Sequence, residues 1–184
     1  MKNFLKNLRL IAPAASLAAL TATGCVLVSG QFAVSYEFDD PVTVTSPTQL
    51  AGVPVNLNEV SEYDDHQDKL EEVVDLALVG RIVNLTGTAV AVEVWMVATP
   101  TTIYTNDTDV KANGVKIWGT LNVGANAAVQ VGWDQSAALF VGRQALIDQV
   151  KGDGRFDLYA IGSTGTYSFR IEKGALIAVL AAAG

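Results

Sequence analysis

From Gln31 onward the chain alternates apolar and polar residues with a period of two. Phe32, Val34, Tyr36 and Phe38 fall on one face, with Ala33, Ser35 and Glu37 on the other, the spacing of a half-buried strand. Val42 to Thr45 and Val53 to Leu57 are shorter strand candidates. Pro54 has no N–H to give a ladder, which assigns the second of these to a sheet edge. Val74 to Leu85 and Thr88 to Ala98 read as a long hairpin around Thr86-Gly87. Val115 to Leu121 and Ala127 to Trp133 read as a second pair, joined by Gly124, Ala125 and Asn126. Phe156 to Ile161, Tyr167 to Ile171 and Ala175 to Ala182 complete the series, with turns at Gly162 to Gly165 and at Lys173-Gly174. The last of these is apolar but far too short to span a bilayer, and it reads as a central strand buried on both faces.

Two stretches carry a helical period instead. Ser61 is placed to cap a helix from Glu62 to Glu72, with Tyr63, His66 and Leu70 at i, i+3 and i+7. Ser136 is placed to cap Ala137 to Lys151, with Leu139, Leu146 and Val150 on one stripe and Gly152 set to end it in the left-handed conformation. Eight to ten strands with two short helical insertions predict a mainly β protein: an antiparallel β-sandwich of immunoglobulin-like type. A β-barrel of up-and-down type is the alternative.

The first thirty residues change the picture. Lys2, Lys6 and Arg9 form a positive start, no acid precedes Glu37, and Leu10 to Ala22 is an apolar run, the layout of a secretory signal. Small residues Ala22, Thr23 and Gly24 then lead to Cys25, the only cysteine. This Leu20-Thr-Ala-Thr-Gly-Cys25 arrangement resembles the lipobox of bacterial lipoproteins, although Ala22 stands where that family usually has Leu. The resemblance implies a lipoprotein signal peptide over residues 1–24, cleaved before Cys25, and acyl chains on the Cys25 sulfur that hold the protein on a membrane. Val26, rather than Asp, after the cysteine resembles the signal for transfer to the outer membrane. Two other readings stay open: ordinary cleavage after Gly24 with a free thiol, or an uncleaved span from Leu10 to Val28. The domain plan is therefore a signal over 1–24, an anchor cysteine and short tether over 25–30, and one sandwich domain over 31–184.

Without the leader the chain keeps all 19 acids and, less the leader's three, nine of the 12 basic residues, a balance of about −10. Such a surface repels phosphate backbones, so nucleic acid is not an expected partner. Lipidation of the single cysteine would leave no thiol for disulfides, zinc or nucleophilic catalysis.

Chemistry is sparse. From Glu59 to Asp75 there are eight acids against one base, Lys69. On a helix Glu62 and His66 lie one turn apart, as do Asp64 and Asp68, a candidate site for a divalent cation; a solvated acidic face is the alternative. Thr105 to Asp109 and Lys151 to Arg155 carry oxygen ligands without the spacing of an EF-hand, and read as turns. Asn84-Leu-Thr86 and Asn106-Asp-Thr108 fit the glycosylation sequon, a match attributed to chance. With one histidine and no Gly-x-Ser-x-Gly elbow, serine-hydrolase chemistry lacks its parts. Trp133 keeps step with Val129 and Val131 and reads as core. Trp95 and Trp118 fall on nominally polar faces, a candidate platform for sugar rings or a protein, unless helices cover them or a bulge flips the register. The expectation is a lipid-anchored, non-enzymatic module with no cofactor, its partners being the membrane through Cys25 and an envelope protein or glycan. A cation- or small-ligand-binding lipoprotein is the alternative, and an envelope hydrolase the third reading.

Overall fold

The computed structural model describes residues 30–39, 41–46, 50, 52–98, 103–162 and 165–183. Nine strands form two antiparallel sheets that pack as a sandwich and do not close into a barrel. One sheet is ordered β1 (Gln31–Glu37), β9 (Ser168–Ala182), β4 (Leu70–Asn84), β7 (Ala128–Val131), with β2 (Val42–Thr45) continuing the β1 edge along β9. The other is β3 (Gly52–Asn56), β8 (Arg155–Gly162), β5 (Val90–Ala98), β6 (Val115–Val123). Phe32 and Val34 turn inward as their alternation predicts, and Pro54 lies exposed on edge strand β3.

Strand identity follows the sequence pattern; pairing does not. β4 and β5 are no hairpin, because the chain crosses from one sheet to the other at Thr86-Gly87. β6 and β7 likewise lie in different sheets. The long spine is β4 against β9, and both run fifteen residues. Lys173-Gly174 is not a turn but an irregularity inside β9, where the register shifts between Val79 and Arg81 of β4. Below it β9 pairs β1 through Ala175, and above it β9 pairs β2 from Ile171, so the edge is interrupted at that level. β9 is central, yet along its second half Leu176, Ala178 and Leu180 are buried while Ile177 and Val179 on the other face are half-exposed.

The helical stretches are shorter than their periodicity predicts. α1 (Ser61–Asp64) stops after one turn, and Leu70 already belongs to β4 because its backbone pairs Ala182. Ladder bonds from β9 override the local helical pattern there. The second stretch breaks into α3 (Trp133–Leu139) and α4 (Arg143–Lys151) at Phe140 to Gly142. A further helix, α2 (Asp107–Asn113), occupies the segment read as a turn, with Asn106 Oδ1 accepting from the Asp109 N–H at 2.9 Å, an N-cap. Gly152 does not end α4 in the left-handed region; Gly154 adopts that conformation instead, at φ 69°. Its missing Cβ also leaves room for Tyr63, whose hydroxyl donates to the Val150 carbonyl at 2.7 Å.

α3 and α4 bridge β4 and β6 on the side where β7 is short. Leu146 and Val150 point into the core there. Ser136 is no cap: it is fully buried inside α3, and its Oγ accepts the Leu78 N–H of β4 at 2.8 Å. That bond replaces a ladder partner on the part of β4 that β7 does not reach, as the pairing of buried backbone donors requires.

Candidate functional site

Cys25 and the cleavage residues Ala22, Thr23 and Gly24 lie outside the described residues. No helix among the described residues is long and apolar enough to cross a membrane.

The four candidate ligands Glu62, Asp64, His66 and Asp68 lie on one helical turn and the turns that follow it. No group of three or more His, Cys, Asp or Glu side chains converges among the described residues. His66 is turned to Phe32, with ring centroids 4.7 Å apart, and its Nδ1 lies 2.9 Å from the Glu62 carbonyl oxygen. Asp64 accepts from Gln67 at 2.9 Å, and Ser61 donates to Glu62 at 3.0 Å, while Asp68 is exposed on the following 3₁₀ turn, Gln67–Lys69. The expected ligand pairs depended on a continuous helix, and the helix ends at Asp64, before His66 and Asp68.

The two tryptophans part company. Register shifts between Val92 and Trp95 set Trp118 opposite Val94, an inward position, and Lys116 opposite Trp95. Trp118 is therefore buried, at 3% exposure, and the platform it was expected to share with Trp95 does not form. Trp95 stays half-exposed on the outer face and donates to Glu93 at 3.3 Å. Lys116 donates to the same carboxylate at 2.9 Å and lies 5.9 Å from the Trp95 ring centre. Burial alone would raise the Glu93 carboxyl, but the hydrogen bonds from Lys116 and Trp95 outweigh it and hold its pKa below the ordinary value.

Trp133 is the first residue of α3 rather than a core strand residue, and its indole donates to Asp75 at 2.9 Å. Asp75 also accepts from Arg143 at 3.0 Å. Burial opposes ionisation of Asp75, and the bonds from Trp133, the Leu76 N–H and Arg143 lower its pKa in spite of it.

Asp157 is the opposite case. It is 6% exposed, and Tyr159 donates to it over 3.4 Å. Burial raises its pKa, and the Tyr159 bond offsets only part of that. A raised folded pKa favours the protonated acid, so this residue's contribution is fully present below the unfolded carboxyl value, about 3.9, and is lost as pH rises through the folded value. Asp157→Asn is therefore expected to raise the urea midpoint at pH 7, and the gain should vanish near pH 3.5. An equal gain at both pH values would contradict this.

The remaining feature is internal. A cavity of about 50 Å³ lies between the sheets. Sheet residues Val42 (β2), Ile171 (β9), Leu78 (β4) and Val131 (β7) line one wall. Val53 (β3), Leu158 (β8), Val94 (β5) and Trp118 (β6) line the other. Every lining side chain is apolar except for the Trp118 indole, whose Nε1–H is buried without a hydrogen-bond partner among the described residues. An unpaired buried donor costs about 1–3 kcal/mol, and among the described residues no other buried side-chain nitrogen or oxygen lacks a partner. Sequence reasoning missed the site because bulge-driven parity decides which way Trp118 points.

No protein-family model matches the chain, and no curated protein matches it.

Proposed function

We propose that the chain is an exported lipoprotein, held on the outer membrane of a bacterial envelope by acyl chains on Cys25, and that its sandwich is a non-enzymatic binding module for an envelope protein or glycan. The observation that carries this reading is the closeness of anchor and fold. β1 begins at Gln31, six positions after Cys25, a reach of at most about 20 Å at roughly 3.3–3.6 Å per residue. The Gly30 carbonyl accepts from Ala182 N–H at 3.1 Å, and the Lys69 carbonyl from Ala183 N–H at 2.9 Å, so Gly30 meets the spine at the end where β9 finishes. The corner loops at Thr86 and Gly124 lie at the opposite end of β4, and we read that end as the one turned away from the bilayer. We further read the sandwich as immunoglobulin-like. Its two antiparallel sheets and its connections that pass between sheets support that architecture.

Cell fractionation of the wild type and Cys25→Ser tests the proposal. Each buried CH₂ contributes roughly 0.8 kcal/mol to anchoring, so the wild type is expected entirely in the membrane fraction. The serine variant is expected in the soluble exported fraction. Unchanged membrane retention of the variant would contradict a lipid anchor and favour an uncleaved span.

A further inference from the structure

β1 leaves one side of its backbone open. Ala182 N–H donates to the Gly30 carbonyl at 3.1 Å and Phe38 N–H to the Gly174 carbonyl at 2.9 Å, and the register between them is unbroken. Even-numbered positions of β1 therefore turn their backbone groups to β9, and the N–H and C=O of Ala33, Ser35 and Glu37 face away from the sheet. Among the described residues none of these groups makes a hydrogen bond, and all three residues are exposed. His66 packs on Phe32 at the start of the strand, so the open run begins at Ala33. Each other edge strand is guarded. On β3, Pro54 has no N–H, and its carbonyl accepts from Tyr36 Oη at 3.1 Å. On β6, the Ile117 carbonyl accepts from Val141 and Gly142 N–H at 2.9 and 3.3 Å, and Phe140 bridges Trp118. β2 and β7 are each four residues long. β1 has seven residues, with no proline, lysine or bulge to turn a further strand away.

At Glu37 this edge meets a surface pocket of about 170 Å³. Tyr36, Phe38, Val53 and Pro54 give it apolar walls, and Glu37 and Asp39 line it with no base beside them. Lys173 shares a neighbouring recess with Glu37 and Phe38, but no ion pair joins it to either acid among the described residues. Phe38 faces the space between the sheets, so a side chain set directly opposite it on an added strand also turns inward, over those walls. A lysine or arginine there lays its aliphatic stem on the rings and its charged head beside the two carboxylates. Backbone donors and acceptors repeating at every second residue match another polypeptide and not a sugar ring. We propose that the β1 edge takes an extended segment of the partner protein, which adds antiparallel along Ala33 to Glu37 as a sixth strand of that sheet and seats a basic side chain in the pocket. This makes the partner of the binding module proposed above a protein, and rests on that reading only for where the partner is met.

Calorimetric titration of the purified full-length protein with the peptide acetyl-Lys-Thr-Val-Thr-Val-Thr-Val-amide tests the assignment. In the proposed register its lysine lies opposite Phe38 and its threonines opposite Glu37, Ser35 and Ala33, while the valine N–H groups point away. Saturable binding at one site is expected. N-methylation of the threonines removes the donors aimed at β1 and should weaken binding more than about tenfold, whereas N-methylation of the valines should change it less than about threefold. Norleucine in place of the lysine should weaken binding about threefold at low salt and not at about 1 M salt. Ser35→Pro removes an outward N–H without touching the β9 ladder, and should abolish binding with little change in melting temperature. Absence of saturable binding of the parent peptide would overturn the proposal. Equal binding of the two methylated peptides, undiminished binding of the norleucine peptide at low salt or undiminished binding to folded Ser35→Pro would do the same. Should that variant not fold, the methylated pair decides. A wild-type dimer in sedimentation that Ser35→Pro makes monomeric would assign the edge to a second copy instead, and overturn it too. Fractionation of the Cys25→Ser protein does not involve this edge, so the two readings fail separately.

Discussion

Asn84→Ala is expected to lower the unfolding free energy by roughly 3–5 kcal/mol, because several buried groups lose partners that are each worth about 1–3 kcal/mol. Asn84 is 2% exposed and closes β4 at the corner where the chain changes sheets. Its Nδ2 donates to the carbonyls of Thr88, Gly124 and Val123 at 2.7, 2.9 and 3.2 Å. Its Oδ1 accepts from the Thr86 N–H at 2.9 Å and from the Thr86 hydroxyl at 2.7 Å. One amide thus ties the end of β4 to the corner that follows and to the end of β6 in the other sheet. Asn84→Asp should not rescue, since a carboxylate cannot donate and would face three carbonyl oxygens. Urea denaturation checks both variants. A loss below about 1 kcal/mol for alanine would mean that the corner holds without this network.

Gly142→Ala is expected to cost about 2–4 kcal/mol, at or above the upper end of ordinary overpacking. A Cβ at this position would lie 2.3 Å from the Lys116 carbonyl oxygen and 3.2 Å from the Ile117 Cα. These are backbone atoms of β6, which the β5 ladder holds in place, so no flexible side chain can give way. The joint is close because Val141 N–H donates to the Ile117 carbonyl at 2.9 Å, and Phe140 forms a bridge with Trp118. Gly87→Ala is the control, as its added Cβ meets nothing within 4 Å, and it should change the denaturation midpoint little. Equal midpoints for the two variants would show that α3 and α4 can detach from β6 without loss.

The sequence pattern made the strands legible and left their partners hidden. Phe32 and Val34, or Val92, Val94 and Met96, are buried in alternation, and period two reports that directly. Thr86-Gly87 has the local chemistry of a hairpin turn and of a sheet-changing corner alike. The difference lies in the contacts of Asn84 with residues forty positions away, which no window of sequence contains. The helix predicted over Glu62 to Glu72 stops at Asp64, and from Leu70 the chain pairs Ala182 of β9 instead. Trp118 is turned inward by a register shift, the alternative that strand parity left open, and no turn residue announces it. Ser136 looked like a cap by residue type, whereas its hydroxyl serves a strand edge. The acidic residues are plain to read, but the cation site inferred from them required a helix continuing past Asp64, where α1 stops.

Intact-mass spectrometry of the native polypeptide purified from membranes tests the anchored-module account most directly. The expected species starts at Cys25 and carries acyl chains on its sulfur. A chain that retains residues 1–24, or one whose Cys25 is unmodified, would contradict it.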